Sequence, residues 1–182
     1  MLTRVHTSLL AALVAAICLL PGTALAQSTG GAQYQPPAGK ATVRNGKAIA
    51  PADAPPEVKK AIAAANRIIA KPYKYGGGHA RVEDTGYDCS GTVSYALIKA
   101  GLLKPFPLDS SGFMGYGDPG KGKWITVYAH GGHAYAIIAG LRLDTGYRDA
   151  YVKKWGGAPG SGPRWGKPRS TKGFTARHPD GL

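Results

Sequence analysis

GYDCSGTVSYALIKAG, residues 86–101, is the stretch from which the fold of this 182-residue chain is read. Asp88 is a good N-cap residue, because its carboxylate accepts from the free N–H groups of a first helical turn. Val93, Ala96, Leu97 and Ala100 then share one helical face, and Gly101 supplies the left-handed cap that closes such a run. The helix so predicted holds Cys89 in its first turn, where unpaired N–H groups and the positive end of the helix dipole favour a thiolate.

Working outward, Val58, Ala61, Ile62, Ala65, Ile68 and Ile69 recur at helical spacing between Pro55–Pro56 and Pro72, which predicts an amphipathic helix covering the core. Downstream, Trp124–Ala129, His133–Ile138 and Leu141–Thr145 read as strands rich in β-branched and aromatic residues. A two-residue turn at Ala139 and Gly140 pairs Tyr135 with Asp144 and makes His133 and Asp144 diagonal neighbours on one face. A three-residue turn puts Leu143 or Thr145 there instead, so the register stays open at this stage. Helices followed by an antiparallel sheet define an α+β domain.

Residues 1–26 have the layout of a secretory signal: Arg4 and His6, an apolar run from Leu9 to Leu20, and Ala24-Leu25-Ala26 ahead of Gln27. The run is about a dozen residues, short of the roughly 20 that a membrane span needs. The mature protein is therefore expected to be exported, periplasmic or extracellular, with no membrane span. Residues 27–55, rich in Gly, Pro, Ala, Gln and Ser, are read as a flexible linker, and residues 56–145 as the core domain. Residues 146–182 form a basic, Gly- and Pro-rich extension expected to wrap the domain without regular structure, with Trp155, Trp165 and Phe174 as packing anchors.

Of the 23 Lys and Arg residues only Arg4 lies in the signal, so 22 remain against 10 Asp and Glu. Such a surface attracts polyanions. Export places it among anionic envelope polymers, and no element interleaves basic residues with stacking aromatics, which argues against nucleic acid as the partner.

Signal removal also takes Cys18, leaving Cys89 as a lone thiol in an oxidising compartment where cysteines are normally paired. A buried core cysteine or an intermolecular disulfide are the plainer explanations. Against them, Ser90 and Gly91 leave space for a substrate carbonyl, the helix start offers N–H groups to an oxyanion, and His133 is a candidate base. Such a base works best when an acceptor holds its other ring nitrogen, a duty for which Asp144 is placed. His130 and His79 contend for the role of base. A zinc site of His79, His130 and His133 has no acid or second thiol at a recognised spacing, and Gly76-Gly77-Gly78 lacks the Lys-Ser/Thr pair of a phosphate loop.

These residues resemble the NlpC-type cysteine peptidases of bacterial cell walls, which have a compact papain-like fold. The likeness runs from about Val58 to Thr145 and rests on Pro72-Tyr73-Lys74-Tyr75-Gly76-Gly77, then Asp88-Cys89-Ser90-Gly91, then His133-Ala134-Tyr135-Ala136-Ile137-Ile138-Ala139-Gly140. It implies Cys89 as nucleophile, His133 as base and Asp144 as the orienting residue, with Tyr73, Asp88, Ser90 and Gly91 around substrate and oxyanion. It also implies cleavage of peptidoglycan stem peptides between D-glutamate and the diamino acid, with no metal or organic cofactor. The chain departs from the family pattern in three places. The Pro-Gly-Asp turn before the histidine strand is missing, Asp144 stands where histidine is common, and the tail has no counterpart, so His178 is an alternative third member. A wall-binding module without turnover, or an acyl transferase on the same fold, are the competing readings.

Overall fold

The computed structural model describes residues 39–146 and 162–182. The signal, the first part of the linker and Trp155 lie outside the described residues. Among the described residues no helix is long and apolar enough to cross a membrane.

Helix α1 (Pro56–Ile68) starts on Pro55 and Pro56, carries Glu57 in its first turn, and buries Val58, Ala61, Ile62, Ala64, Ala65 and Ile68. Proline at the first helical position loses no hydrogen bond, since that N–H has no partner in the helix. Helix α2 (Cys89–Ala100) starts on Asp88, whose Oδ1 accepts from the Gly91 N–H at 2.7 Å. It ends on Gly101 at φ +78°, where the N–H groups of Gly101 and Leu102 cap the carbonyls of Ile98 and Leu97. Residues Ser90–Leu97 of α2 are buried all round. The reason is its place between α1 and the sheet, which leaves no face to solvent.

The sheet contains β3 (Asp118–Pro119), β4 (Ile125–His130), β5 (His133–Ile138), β6 (Leu141–Asp144), β7 (Arg164–Gly166) and β8 (Thr175–His178). Their spatial order is β3-β8-β4-β5-β6-β7, and each neighbouring pair is antiparallel. The molecule is thus an α+β arrangement of two helices on an antiparallel sheet. Ala134, Ala136 and Ile138 of β5 join Val93, Ala96 and Leu97 of α2 in one core cluster. The alternate residues His133 and Tyr135 lie on the other face of the strand, against Phe174.

The β5–β6 turn is the two-residue one, with Ile138 opposite Leu141 and Ala136 opposite Leu143. Ala139 at φ +46° and Gly140 at φ +82° both take the positive φ that such tight hairpin turns demand. A three-residue turn is therefore ruled out.

Two expectations are corrected. Residues 42–49 do not belong to a flexible linker: β1 (Thr42–Arg44) and β2 (Lys47–Ile49) form a hairpin turned at Asn45-Gly46, both at positive φ. It docks on the core through the Ala41 N–H on the Ala139 carbonyl and through Asn66, whose side chain bonds both backbone groups of Ala48. The tail, in turn, has regular structure, for β7 and β8 extend the sheet at both sides. Strands of three or four residues among Gly, Pro and Arg carry no alternation of their own. They are set by the edges of β6 and β4, whose unpaired backbone groups they satisfy.

Candidate active site

Residues 72–78 form a cradle for the start of α2. Tyr73 makes a bridge with Tyr87, the Tyr87 N–H donates to the Pro72 carbonyl, and the Asp88 N–H donates to that of Gly77. The approach is close enough to explain the glycine run. A Cβ on Gly91 would fall 2.0 Å from the Gly77 carbonyl oxygen, and one on Gly77 would fall 2.4 Å from that of Gly86. Asp84 ties the loop down, with Lys74 at 2.9 Å and the N–H groups of Gly78 and Thr85 on its carboxylate, which hold that group far below the usual carboxylate range.

Cys89 opens α2 with its thiol toward His133 and with the Ser110 hydroxyl 3.6 Å away. His133 Nε2 lies 2.8 Å from Asp144 Oδ1, which leaves Nδ1 as the ring nitrogen for the thiol. Asp144 is fully buried, and its Oδ1 also accepts from the Gly146 N–H at 2.8 Å. Gly146 lies so close that a Cβ there would sit 3.1 Å from His133 Nε2.

The two protons of this pair are displaced in opposite directions. Burial pushes the Cys89 thiol up, but hydrogen bonds with His133, Ser110 and the Ala134 N–H, with the His133 charge, outweigh it and bring the thiol down to about 7. Burial pushes the His133 ring down, and the hydrogen bonds to Asp144 and Cys89 more than offset that, lifting it to about 9. Between those values the thiolate and the imidazolium coexist.

The thiol opens on a cleft of about 420 Å³, lined by Tyr73, Tyr75, His79, Asp88, Asp109 and Ser110 among others. Among the described residues no Lys or Arg lines it, although the chain carries a net charge of +13. Tyr73 stands half-exposed at its wall, with its hydroxyl pushed up by burial and by the Cys89 charge. Asp88 has a double duty. Its Oδ2 accepts from the Gly76 N–H, while its Oδ1 accepts from Gly91 and Ser90 and meets His79 Nε2 at 3.0 Å.

The contenders fall elsewhere. His79 is held by Asp88 and Ser90 and lines the cleft; its hydrogen bond to Asp88 and the nearby negative charges raise its affinity for a proton. His130 accepts from the Gly132 N–H through Nδ1 and packs on Phe174. His178 pairs with Asp118 across the β3–β8 ladder and reaches the Gly120 carbonyl, so it does not join the His133–Asp144 pair. Among the described residues no three His, Cys, Asp or Glu side chains converge as metal ligands. Ser110 and Asp109 were not legible as site residues, because in sequence they are part of a Pro-, Gly- and Ser-rich connection with no spacing to mark them.

The chain matches no protein-family model and no curated protein.

Proposed function

We propose that the protein is an exported cysteine peptidase with a papain-like fold, similar to the NlpC-type enzymes, that hydrolyses an amide bond in peptidoglycan stem peptides. The observation that carries this reading is the series of Cys89 at a helix mouth, His133 beside it, and a buried carboxylate on the far ring nitrogen. The substrate class comes from the resemblance of the Tyr73–Gly77, Asp88–Gly91 and His133–Gly140 runs, and the bond between D-glutamate and the diamino acid goes with it. Attraction of a strongly cationic surface to anionic envelope polymers fits the same setting.

In this mechanism the Cys89 sulfur adds to the amide carbonyl carbon, and the N–H groups at the start of α2 that Asp88 does not cap, with Tyr73 beside them, stabilise the oxyanion. His133 gives its proton to the leaving amine as the C–N bond breaks, which leaves a thioester on Cys89. A water then loses a proton to His133 and attacks the thioester, and departure of the sulfur frees the new carboxylic acid. Throughout, Asp144 keeps the ring in one tautomer and one orientation.

The test is digestion of purified cell wall followed by mass spectrometry of the released fragments. The wild-type protein is expected to release stem-peptide fragments with a newly freed amine on the diamino acid, and folded Cys89→Ala is expected to release none. Release by Cys89→Ala at the wild-type rate would overturn the reading. Products joined to an added amine instead of water would identify an acyl transferase.

A further inference from the structure

Asp144 is buried with only one oxygen hydrogen-bonded. Oδ1 serves His133 and Gly146, whereas Oδ2 has no hydrogen-bond partner among the described residues. A buried carboxylate is costly unless hydrogen bonds and nearby cations answer its charge. Among the described residues two guanidinium groups do so, Arg142 Nε at 3.6 Å and Arg169 Nη1 at 3.9 Å from Oδ2.

The two have different origins. Arg142 comes from β6, the strand that carries Asp144 itself, whereas Arg169 arrives from the segment between β7 and β8. Its guanidinium carbon stands 5.9 Å from the centre of the Tyr135 ring and 5.7 Å from that of Phe174. Phe174 meets Tyr135 edge-on at 5.1 Å and His133 at 6.4 Å. Residues 169 and 174 thus wall the far side of the His133–Asp144 pair and are not among the residues that line the cleft.

We propose that Arg169 is a positioning residue of the Cys89–His133 site: seated over the open oxygen of Asp144, it holds the carboxylate in place and thereby fixes the His133 ring against Cys89. This rests on the reading of Cys89 as nucleophile and His133 as its partner. Among the described residues the other charged or titratable groups around the pair are Cys89 from α2, His130 and Tyr128 from β4, Tyr135 from β5 and Arg142 from β6. Arg177 and His178 of β8 are turned to the carbonyls of residues 115–120 instead. Arg169 is therefore the cation that the C-terminal segment brings to Asp144.

Arg169→Gln removes the charge at a partly exposed position, Arg169→Lys keeps it, and Arg169→Met keeps the stem on both rings where the Gln variant does not fold. His133 is followed by NMR titration, Cys89 by the pH dependence of alkylation with iodoacetamide, and turnover on muropeptides by kcat and KM. Loss of a positive charge beside Asp144, and so near the imidazolium that Asp144 holds, is expected to move the upper titration of the Cys89–His133 pair upward by about half a pH unit. With the ring less well aimed, kcat is expected to fall about tenfold while KM stays unchanged. Arg169→Lys restores both. A wild-type titration and wild-type kcat in Arg169→Gln or Arg169→Met overturn the assignment. If Cys89 of the wild-type protein alkylates as an ordinary thiol, it is the nucleophile reading that fails, so the two failures are told apart.

Discussion

Cys89 and His133 titrate as a pair, and the proposed mechanism needs the sulfur without its proton and the ring with one. A thiol brought down to about 7 and an imidazole lifted to about 9 bound that form from below and above. The expected kcat/KM profile is a bell that rises through about 7 and falls through about 9, measured on stem-peptide substrate across pH. An acid limb at the position of an unperturbed thiol would mean that the helix mouth and His133 do not activate the sulfur. The residues behind these limbs were legible in sequence to different degrees. Cys89 and His133 stand out through the company they keep, and Asp144 follows once the Ala139-Gly140 turn decides the register. Ser110 and Arg169 reach the site through loops, for which one-dimensional spacing carries no signal.

The joint between the glycine loop and α2 is the tightest contact among the elements that position the thiol. Gly91→Ala would drive a methyl group to 2.0 Å from the Gly77 carbonyl oxygen, backbone against backbone. Neither side has a flexible side chain that can give way, so a loss of about 3 kcal/mol or more is expected in denaturant unfolding. Gly115→Ala meets no atom within 4 Å and serves as the neutral control. Both helices were readable in advance, because Pro55, Asp88 and Gly101 mark their ends and the apolar period marks their faces. The central strands were readable for a similar reason, with β4 displaced by one residue to Ile125–His130. The β1–β2 hairpin carried its own sign in Asn45-Gly46, which the surrounding Gly and Pro obscured. Nothing of that kind announces β7 or β8, whose pairing depends on edges that exist only after the rest has folded.

At the scale of the molecule, residues 162–182 act as a clasp. Trp165 is almost fully buried and donates its indole N–H to Asn66 at 2.8 Å, while Arg164 reaches the Ile69 carbonyl at the end of α1. Gly162, at φ +102°, crosses so near Lys71–Tyr73 that a Cβ would meet the Lys71 carbonyl oxygen at 2.2 Å. Removing everything after residue 161 should bare the edges of β4 and β6 and the apolar ground under Trp165. The expected result is a protein that self-associates in size-exclusion chromatography and whose Cys89 has lost its enhanced reactivity. A monomeric truncation with the full alkylation rate would show the clasp to be dispensable. A polypeptide that emerges N-terminus first from a ribosome delivers this clasp after Cys89, His133 and Asp144. The imidazole then gains its far wall only once residues 162–182 have emerged, so a shorter nascent chain presents the sulfur and the ring without that wall.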